Sequence, residues 1–372
     1  MIKICLFVLL FPLYLSSQNA ESVKLYNKAI ELASAKDYPG AIKLYSQSIS
    51  KDPLYAPAYY GRGIAKMSLK DYPQAATDFG KSAKLEPENS KANYYKGYCE
   101  MQSKDYDTAL VSFSRALSSD PELTKAYYYR AYIQMVQKNY DKAARDFKEA
   151  INKGENTTKA NYNLGICYKK LDQNDAAYTS FKNAIAADSK YVPALYEVLK
   201  ADFGDEKYTQ VIDHATTIIS IEPDNMDARK YRAACYMKTD MISEARADYN
   251  KLVEANPKDL KSWINKAALS INSKDYPTAI NDYSVLIELE PENLSYYKNR
   301  SIAYMQTEQW DYALKDLNDM IVKSPNNGDA FYNRSNVQLQ LKKNDLACED
   351  MRQAAKLGFE KAFEYIPGLC NN

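Results

Sequence analysis

Residues 56–89 read APAYYGRGIAKMSLKDYPQAATDFGKSAKLEPEN, and this stretch sets the frame for the whole chain. Its closing proline, Pro87, stands on a 34-residue grid with Pro53, Pro121, Pro223, Pro257, Pro291 and Pro325. Between Pro121 and Pro223 lie three periods, with Glu155 and Ser189 in the vacant slots. A fixed period of this length, kept without insertion, is the mark of stacked supersecondary units that bury their apolar faces against one another. Such a stack offers an extended binding surface and not the enclosed pocket of an enzyme domain.

With each proline slot set as repeat position 32, ten repeats follow: 22–55, 56–89, 90–123, 124–157, 158–191, 192–225, 226–259, 260–293, 294–327 and 328–361. Position 20 is alanine in nine of them, Ala41, Ala75, Ala109, Ala143, Ala177, Ala245, Ala279, Ala313 and Ala347, with Val211 the exception. Position 8 is small in all but one, as at Ala29, Gly63, Gly97, Ala131 and Gly165, and Leu199 breaks it. Position 24 is large, as at Tyr45, Phe79, Phe113, Phe147, Phe181, Tyr249 and Tyr283. Small residues facing large ones let two helices approach closely, and proline, lacking an N–H, stops the second. These columns resemble the tetratricopeptide repeat, over essentially the whole of 18–361. The resemblance implies an all-α fold, an α-solenoid of antiparallel helix pairs wound into a right-handed superhelix.

One column departs from that family's pattern. Position 7, usually leucine there, carries Lys28, Arg62, Lys96, Arg130, Arg232, Lys266, Arg300 and Arg334, and position 23 answers the five arginines and Lys266 with Asp78, Asp146, Asp248, Asp316, Asp350 and Asp282. Where position 7 is apolar, position 23 is not acidic: Leu164 goes with Ser180 and Val198 with His214. The matched switching predicts ion pairs between the two helices of a unit, which makes these residues scaffold and not a ligand-binding row.

The functional expectation falls on the first helix of each unit. Positions 5, 9 and 12 are related as i, i+4 and i+7 and share one face with position 2. In the family that face lines the groove that holds extended peptides. Position 5 reads Tyr26, Tyr60, Tyr94, Tyr128, Tyr162 and Tyr196, and position 12 carries Met67, Met101, Met135, Met237 and Met305. Repeats three and four add Tyr95, Tyr98, Tyr129 and Tyr132, and position 2 is lysine three times running at Lys91, Lys125 and Lys159. The candidate groove is therefore Tyr60, Lys91, Tyr94, Tyr95, Tyr98, Met101, Lys125, Tyr128, Tyr129, Tyr132, Met135, Lys159 and Tyr162. Aromatic anchors beside lysines suit a protein or peptide segment with apolar or aromatic side chains and acidic groups. The bland reading is that the tyrosine ladder is scaffold, and both stay open at this point. Self-association in an envelope assembly and glycan stacking on tyrosine are the alternatives. Repeats seven to ten carry a different set, Lys230, Asn265, Lys298, Asn299, Asn333 and Asn336, which only partly resembles the family's clamp for a terminal carboxylate. Repeat six, with Val198, Leu199, Val211, Ala215 and Ile218 in core columns, is expected to form an apolar joint or a bend.

Composition fits a long helical array: 46% hydrophobic, 26% charged and only 11 glycines. Residues 1–17 read as a signal peptide, with Lys3, a 12-residue apolar run over 4–15 and Ser16-Ser17 for cleavage. An exported protein, periplasmic, at the cell surface or secreted, is the expectation. Cys5 sits inside the apolar run, which argues against a lipid anchor. Without Lys3 the chain has 48 basic and 48 acidic side chains, no excess for nucleic acid. The single histidine, His214, and the absence of HExxH, of a Gly-rich phosphate loop, of GxSxG and of cysteines at zinc spacing leave no case for an enzyme, a metal or a cofactor. Cys99, Cys167 and Cys235 all occupy position 10, too far apart to pair, and Cys348 and Cys370 are expected as free thiols. Residues 359–367 are expected to form a capping helix, with Phe363 and Ile366 over the last core, stopped by Pro367-Gly368 ahead of a tail over 368–372.

Overall fold

A computed structural model describes residues 19–155 and 157–370. The signal segment expected over 1–17 lies outside the described residues. Those residues contain helices and turns and no strand. They fall into two compact units divided between Ala194 and Leu195. The first unit holds α1 (Ala20–Ser34), α2 (Tyr38–Lys51), α3 (Ala56–Ser68), α4 (Tyr72–Leu85), α5 (Ser90–Gln102), α6 (Tyr106–Ser119), α7 (Thr124–Val136), α8 (Tyr140–Asn152), α9 (Thr157–Lys170) and α10 (Asn174–Ala187). The division falls inside α11 (Val192–Gly204). The second unit continues with α12 (Tyr208–Ile221), α13 (Met226–Lys238), α14 (Ile242–Ala255), α15 (Leu260–Asn272), α16 (Tyr276–Leu289), α17 (Leu294–Gln306), α18 (Trp310–Lys323), α19 (Gly328–Gln340), α20 (Asn344–Lys356) and α21 (Glu360–Leu369).

Each repeat is one odd-numbered helix followed by one even-numbered helix, and the two kinds of turn have separate causes. Between the helices of a repeat the chain passes through one left-handed residue. These are Lys36, Lys70, Lys104, Lys138, Asp172, Glu206, Asp240, Lys274, Glu308 and Lys342, with φ from 55° to 65°. In three repeats the next residue caps the second helix: Asp37 accepts from the Gly40 N–H at 3.0 Å, Asp71 from that of Gln74 and Asp275 from that of Thr278. Between repeats, most second helices end in an extended residue such as Asp52 (φ −141°, ψ 95°), the region into which a following proline drives the chain, and Asp188 adopts it before Ser189 as well. Gly154 and Gly358 (φ 81° and 82°) end the helix the left-handed way in the two repeats that have Glu155 and Phe359 in the proline slot.

The core lies between the two helices of each unit. The position 20 alanines are all but inaccessible, and the position 24 rings Phe79, Phe113 and Phe147 are fully buried. Position 8 must be small for a geometric reason: a Cβ on Gly165 would lie 2.5 Å from the Phe181 ring. In repeat six the apolar core columns, Val198, Leu199, Val211, Ala215 and Ile218, are buried as well.

The position 7 cations lie against the position 23 carboxylates in bidentate geometry. Arg62 donates Nε and Nη2 to Asp78 at 2.9 and 2.6 Å, and Arg130 does the same to Asp146 at 2.7 and 2.8 Å. Arg232 with Asp248, Arg300 with Asp316 and Arg334 with Asp350 repeat the pattern, and Lys266 reaches Asp282 at 2.7 Å. The remaining nitrogen, Nη1, points backward in the chain. It donates to position 25 of the preceding repeat: Ser46, Ser114, Thr216, Ser284 and Asn318, at 2.8 to 3.2 Å. One guanidinium thus ties three helices together. Repeat three solves the same problem differently: Lys96 meets Glu100 at 2.6 Å and Ser112 at 2.9 Å. His214, at position 23 of repeat six, lies 3.5 Å from Asp202.

Three expectations at the C-terminus need correction. Cys348 and Cys370 are bonded to each other, with Cα atoms 5.3 Å apart, because α21 turns back along α20. That helix runs through Pro367 to Leu369. Cys370 closes its last turn by donating to the Ile366 carbonyl at 2.9 Å, so the tail expected from 368 begins later. Ile366 packs on the last core as expected, but Phe363 is 59% exposed and Phe359 and Ala362 take its place. Residues 371–372 lie outside the described residues.

Two measurements check this packing. Gly165→Ala forces the Phe181 ring aside and should lower stability by about 1–3 kcal/mol in denaturant titration. A cost near zero would show that the ring has room. Cys348→Ser should raise hydrogen exchange in α21 while leaving α1 to α18 unchanged, and equal protection with and without the bond would contradict its role as a staple.

Candidate functional site

The first-helix face of repeats two to five is built by three side-chain rows. In the innermost row, position 5 tyrosines press edgewise or tilted on the position 24 ring of their own repeat. Tyr60 meets Phe79 at 5.6 Å, Tyr94 meets Phe113 at 6.0 Å, Tyr128 meets Phe147 at 5.7 Å and Tyr162 meets Phe181 at 5.7 Å. Position 6 tyrosines lie on the ring of the preceding repeat. Tyr95 stacks on Phe79 at 5.5 Å and 23°, and Tyr129 on Phe113 at 6.1 Å and 17°. Two members of the expected groove belong to the core. Tyr94 and Met101 are 8% exposed and share a cluster with Phe113, Leu117 and Ile133. The size of the position 24 ring decides this, since it draws the tyrosine down between the helices.

What faces outward is a narrower set. Tyr132 is 39% exposed, and Tyr98 and Met135 are half-buried. Tyr98 leans on Tyr129 at 5.4 Å in a T-shaped contact. Lys91, Lys125 and Lys159 are exposed and have no ion-pair partner among the described residues. The expected list missed the rest of the position 9 row, where Ile30 is 39% exposed and Ile64 and Ile166 are half-buried. Val136 stands out beside Met135 at 42%. Their signal was the column itself, apolar in five successive repeats as Ile30, Ile64, Tyr98, Tyr132 and Ile166, then Lys200 and Ala234.

The corresponding face of the second unit is occupied from within. Lys230 pairs with Asp259 at 2.8 Å and Lys298 with Asp329 at 2.7 Å. Asn265 and Asn299 lie beside Tyr249 and Tyr283, and Asn333 donates to the Asp329 carbonyl at 2.8 Å. A cavity of about 400 Å³ opens there over Phe203, Tyr231, Ala234 and Tyr249, where Ala234 leaves position 9 short.

The titratable groups tell the same story of burial. Burial pushes Tyr60 and Tyr45 up to about 12 and carries Tyr94 higher still. The thiols of Cys99 and Cys167 are pushed up to about 12 and that of Cys235 to about 11, again by burial, which keeps them protonated and unreactive. Among the described residues no group of His, Cys, Asp or Glu is arranged to hold a metal ion. No helix there is long and apolar enough to cross a membrane.

Stacked helical hairpins with a phased 34-residue repeat define an α-solenoid. Family models described as tetratricopeptide repeat match residues 26–84, 60–123, 105–160 and 158–191. Residues 26–191 thus match the tetratricopeptide repeat, and the same helix pairs and turns continue beyond them. Among curated proteins it is similar to Hsp70-Hsp90 organizing protein 3 of Arabidopsis thaliana, 31% identical over 78 residues. That match covers 21% of this chain and 14% of the relative. The Hsp70-Hsp90 organizing protein of Triticum aestivum is 35% identical over 80 residues, 21% of this chain and 13% of the relative. The matched part is thus a small share of these relatives' length. Among solved structures, the C-terminal part of a TPR repeat-containing protein from Cytophaga hutchinsonii superposes with a TM-score of 0.54 at 17% identity, over 64% of this chain and 98% of that one. That likeness establishes the fold.

The tyrosine burial has a pH consequence. Tyr60 and Tyr45 have folded values near 12, above the ordinary 10.0, so folding favours the neutral phenol. Their contribution to stability is complete below pH 10 and is lost as pH rises through about 12. Phenolate absorbance followed alongside circular dichroism should show a late group of tyrosines ionising as helicity falls. Ionisation of every tyrosine near 10 with helicity intact would contradict the packing.

Proposed function

We propose that this chain is a non-catalytic interaction scaffold that holds an extended protein segment on the first-helix face of repeats two to five. One observation carries the reading: a partly exposed apolar row at position 9, with Tyr132 39% exposed, runs beside three exposed lysines that have no ion-pair partner among the described residues. On the corresponding face of the second unit, Lys230 and Lys298 are paired from within. Lysines left unpaired beside Tyr98, Tyr132 and Ile166 suit a segment that alternates acidic and apolar or aromatic side chains. The apolar anchors would supply affinity, and the lysines would set register and speed encounter. The tetratricopeptide family, and relatives named for organizing Hsp70 and Hsp90, support protein binding without chemistry.

We also place the mature protein outside the cytoplasm. The apolar run over 4–15 supports export, and the bond between Cys348 and Cys370 suits an oxidising compartment, since thiols kept in reducing surroundings rarely pair.

The test uses a library of extended acidic peptides with aromatic and aliphatic positions, read by fluorescence anisotropy against the mature chain. Tyr132→Ala and Lys125→Glu alter exposed residues and should leave helicity unchanged. Each is expected to weaken the selected peptides by about tenfold or more. Peptides that bind both variants as tightly as the parent would remove this face from consideration.

A further inference from the structure

The junction between repeats two and three lacks the three-helix tie found at its neighbours. In both adjoining repeats and in repeat ten a position 4 ring covers the position 7 arginine: Tyr59 over Arg62 at 5.7 Å, Tyr127 over Arg130 at 5.6 Å and Phe331 over Arg334 at 5.3 Å. In repeat three the ring is replaced by Asn93 and the arginine by Lys96, and the partner at position 25 of repeat two is Gly80. All three parts have become smaller at once. The result is an open cavity of about 510 Å³ on the second-helix side, walled by α4, α5 and α6.

The lining of this cavity has a definite charge. Lys84 and Arg115 border it, both exposed and both without an ion-pair partner among the described residues. Lys96 also borders it but is neutralised by Glu100 at 2.6 Å. No carboxylate belongs to the lining. At its base lies Asn93, only 6% exposed, whose side-chain amide makes no hydrogen bond. The equivalent residue of repeat five, Asn161, is satisfied by donating to the Thr157 carbonyl at 2.7 Å. The Asn93 side chain lines the open cavity, where a bound group can take up its hydrogen-bonding capacity.

The geometry points to an anion site here, and the group that fits is a phosphate or phosphate monoester. Two uncompensated cations match a dianion better than a single carboxylate. The Arg115 guanidinium offers the forked donor that phosphate oxygens accept, Lys84 adds a point charge, and the Asn93 amide supplies a neutral donor from below. This site lies on the opposite side of the helix layer from the peptide face proposed above and does not rest on that reading.

The probe is inorganic phosphate, titrated into the isotope-labelled mature chain while the Asn93 side-chain amide is followed by NMR. A second arm uses a phosphoserine peptide and its unphosphorylated counterpart, which separates free phosphate from a phosphorylated partner as the source. Saturable shifts with either phosphate source are expected, with none from the unphosphorylated peptide. Arg115→Gln and Lys84→Gln, both at exposed positions, should each weaken binding by about tenfold. Asn93→Tyr, which restores the ring used in neighbouring repeats, should abolish it while circular dichroism stays unchanged. Absence of saturation by both sources, or saturation that survives Arg115→Gln and Lys84→Gln undiminished, would overturn the assignment.

Discussion

The arginine that binds an aspartate in its own repeat and a hydroxyl or amide in the one before is the contact on which this architecture turns. Asp78, Asp146, Asp248, Asp316 and Asp350 are all nearly inaccessible, so their charges must be met in place. Taking two such charges out of water offsets much of their attraction, and the pair adds little over a well-packed apolar substitute. Its effect is on register. A guanidinium with two nitrogens committed to Asp146 can reach Ser114 only when repeats three and four stand in one relative position. Position 7 is leucine in the related pattern, where apolar packing is less particular about register. The Asp248 carboxylate also holds the Arg232 guanidinium above its ordinary value, which keeps the cation charged throughout the folding range.

That constraint divides the surface into two kinds of side. On the second-helix side the position 7 arginines are consumed by internal partners, and the junction around Gly80, Asn93 and Lys96 lacks that arrangement. On the first-helix side of the first unit the interior takes Tyr94, Tyr95, Tyr129 and Met101 for packing and leaves Tyr132, the position 9 isoleucines and three lysines outside. The second unit spends its lysines on Asp259 and Asp329. A repeat array is therefore not a uniform binding surface. Its working regions are where the periodic contacts are left incomplete.

Much of this was legible from spacing alone. Pro53 through Pro325 fixed the repeat length, the alanine column marked the helix contact, and the matched change of positions 7 and 23 announced the ion pairs. The backward arm to position 25 was not foreseen, because a serine column on a helix surface carries no signal until its partner is placed. The tyrosine ladder misled for a related reason. A tyrosine at position 5 looks the same in sequence whether its ring faces solvent or meets Phe113, and only the partner nineteen residues on decides. The left-handed turn residues escaped notice because six are lysine and none is glycine or asparagine. The bond between Cys348 and Cys370 depended on α21 turning back, which Pro367-Gly368 seemed to forbid. One missing N–H within a helix was less decisive than the anchor that follows it.

The most direct test of the account is native-state hydrogen exchange on Arg130→Met compared with the parent. Methionine keeps the apolar stem but removes both arms, leaving Asp146 unpaired and Ser114 without its donor. If the guanidinium carries register from one repeat to the next, protection should fall in α6 of repeat three as well as in α7 and α8. A loss confined to α7 and α8, with α6 as protected as before, would show that the tie between repeats is incidental.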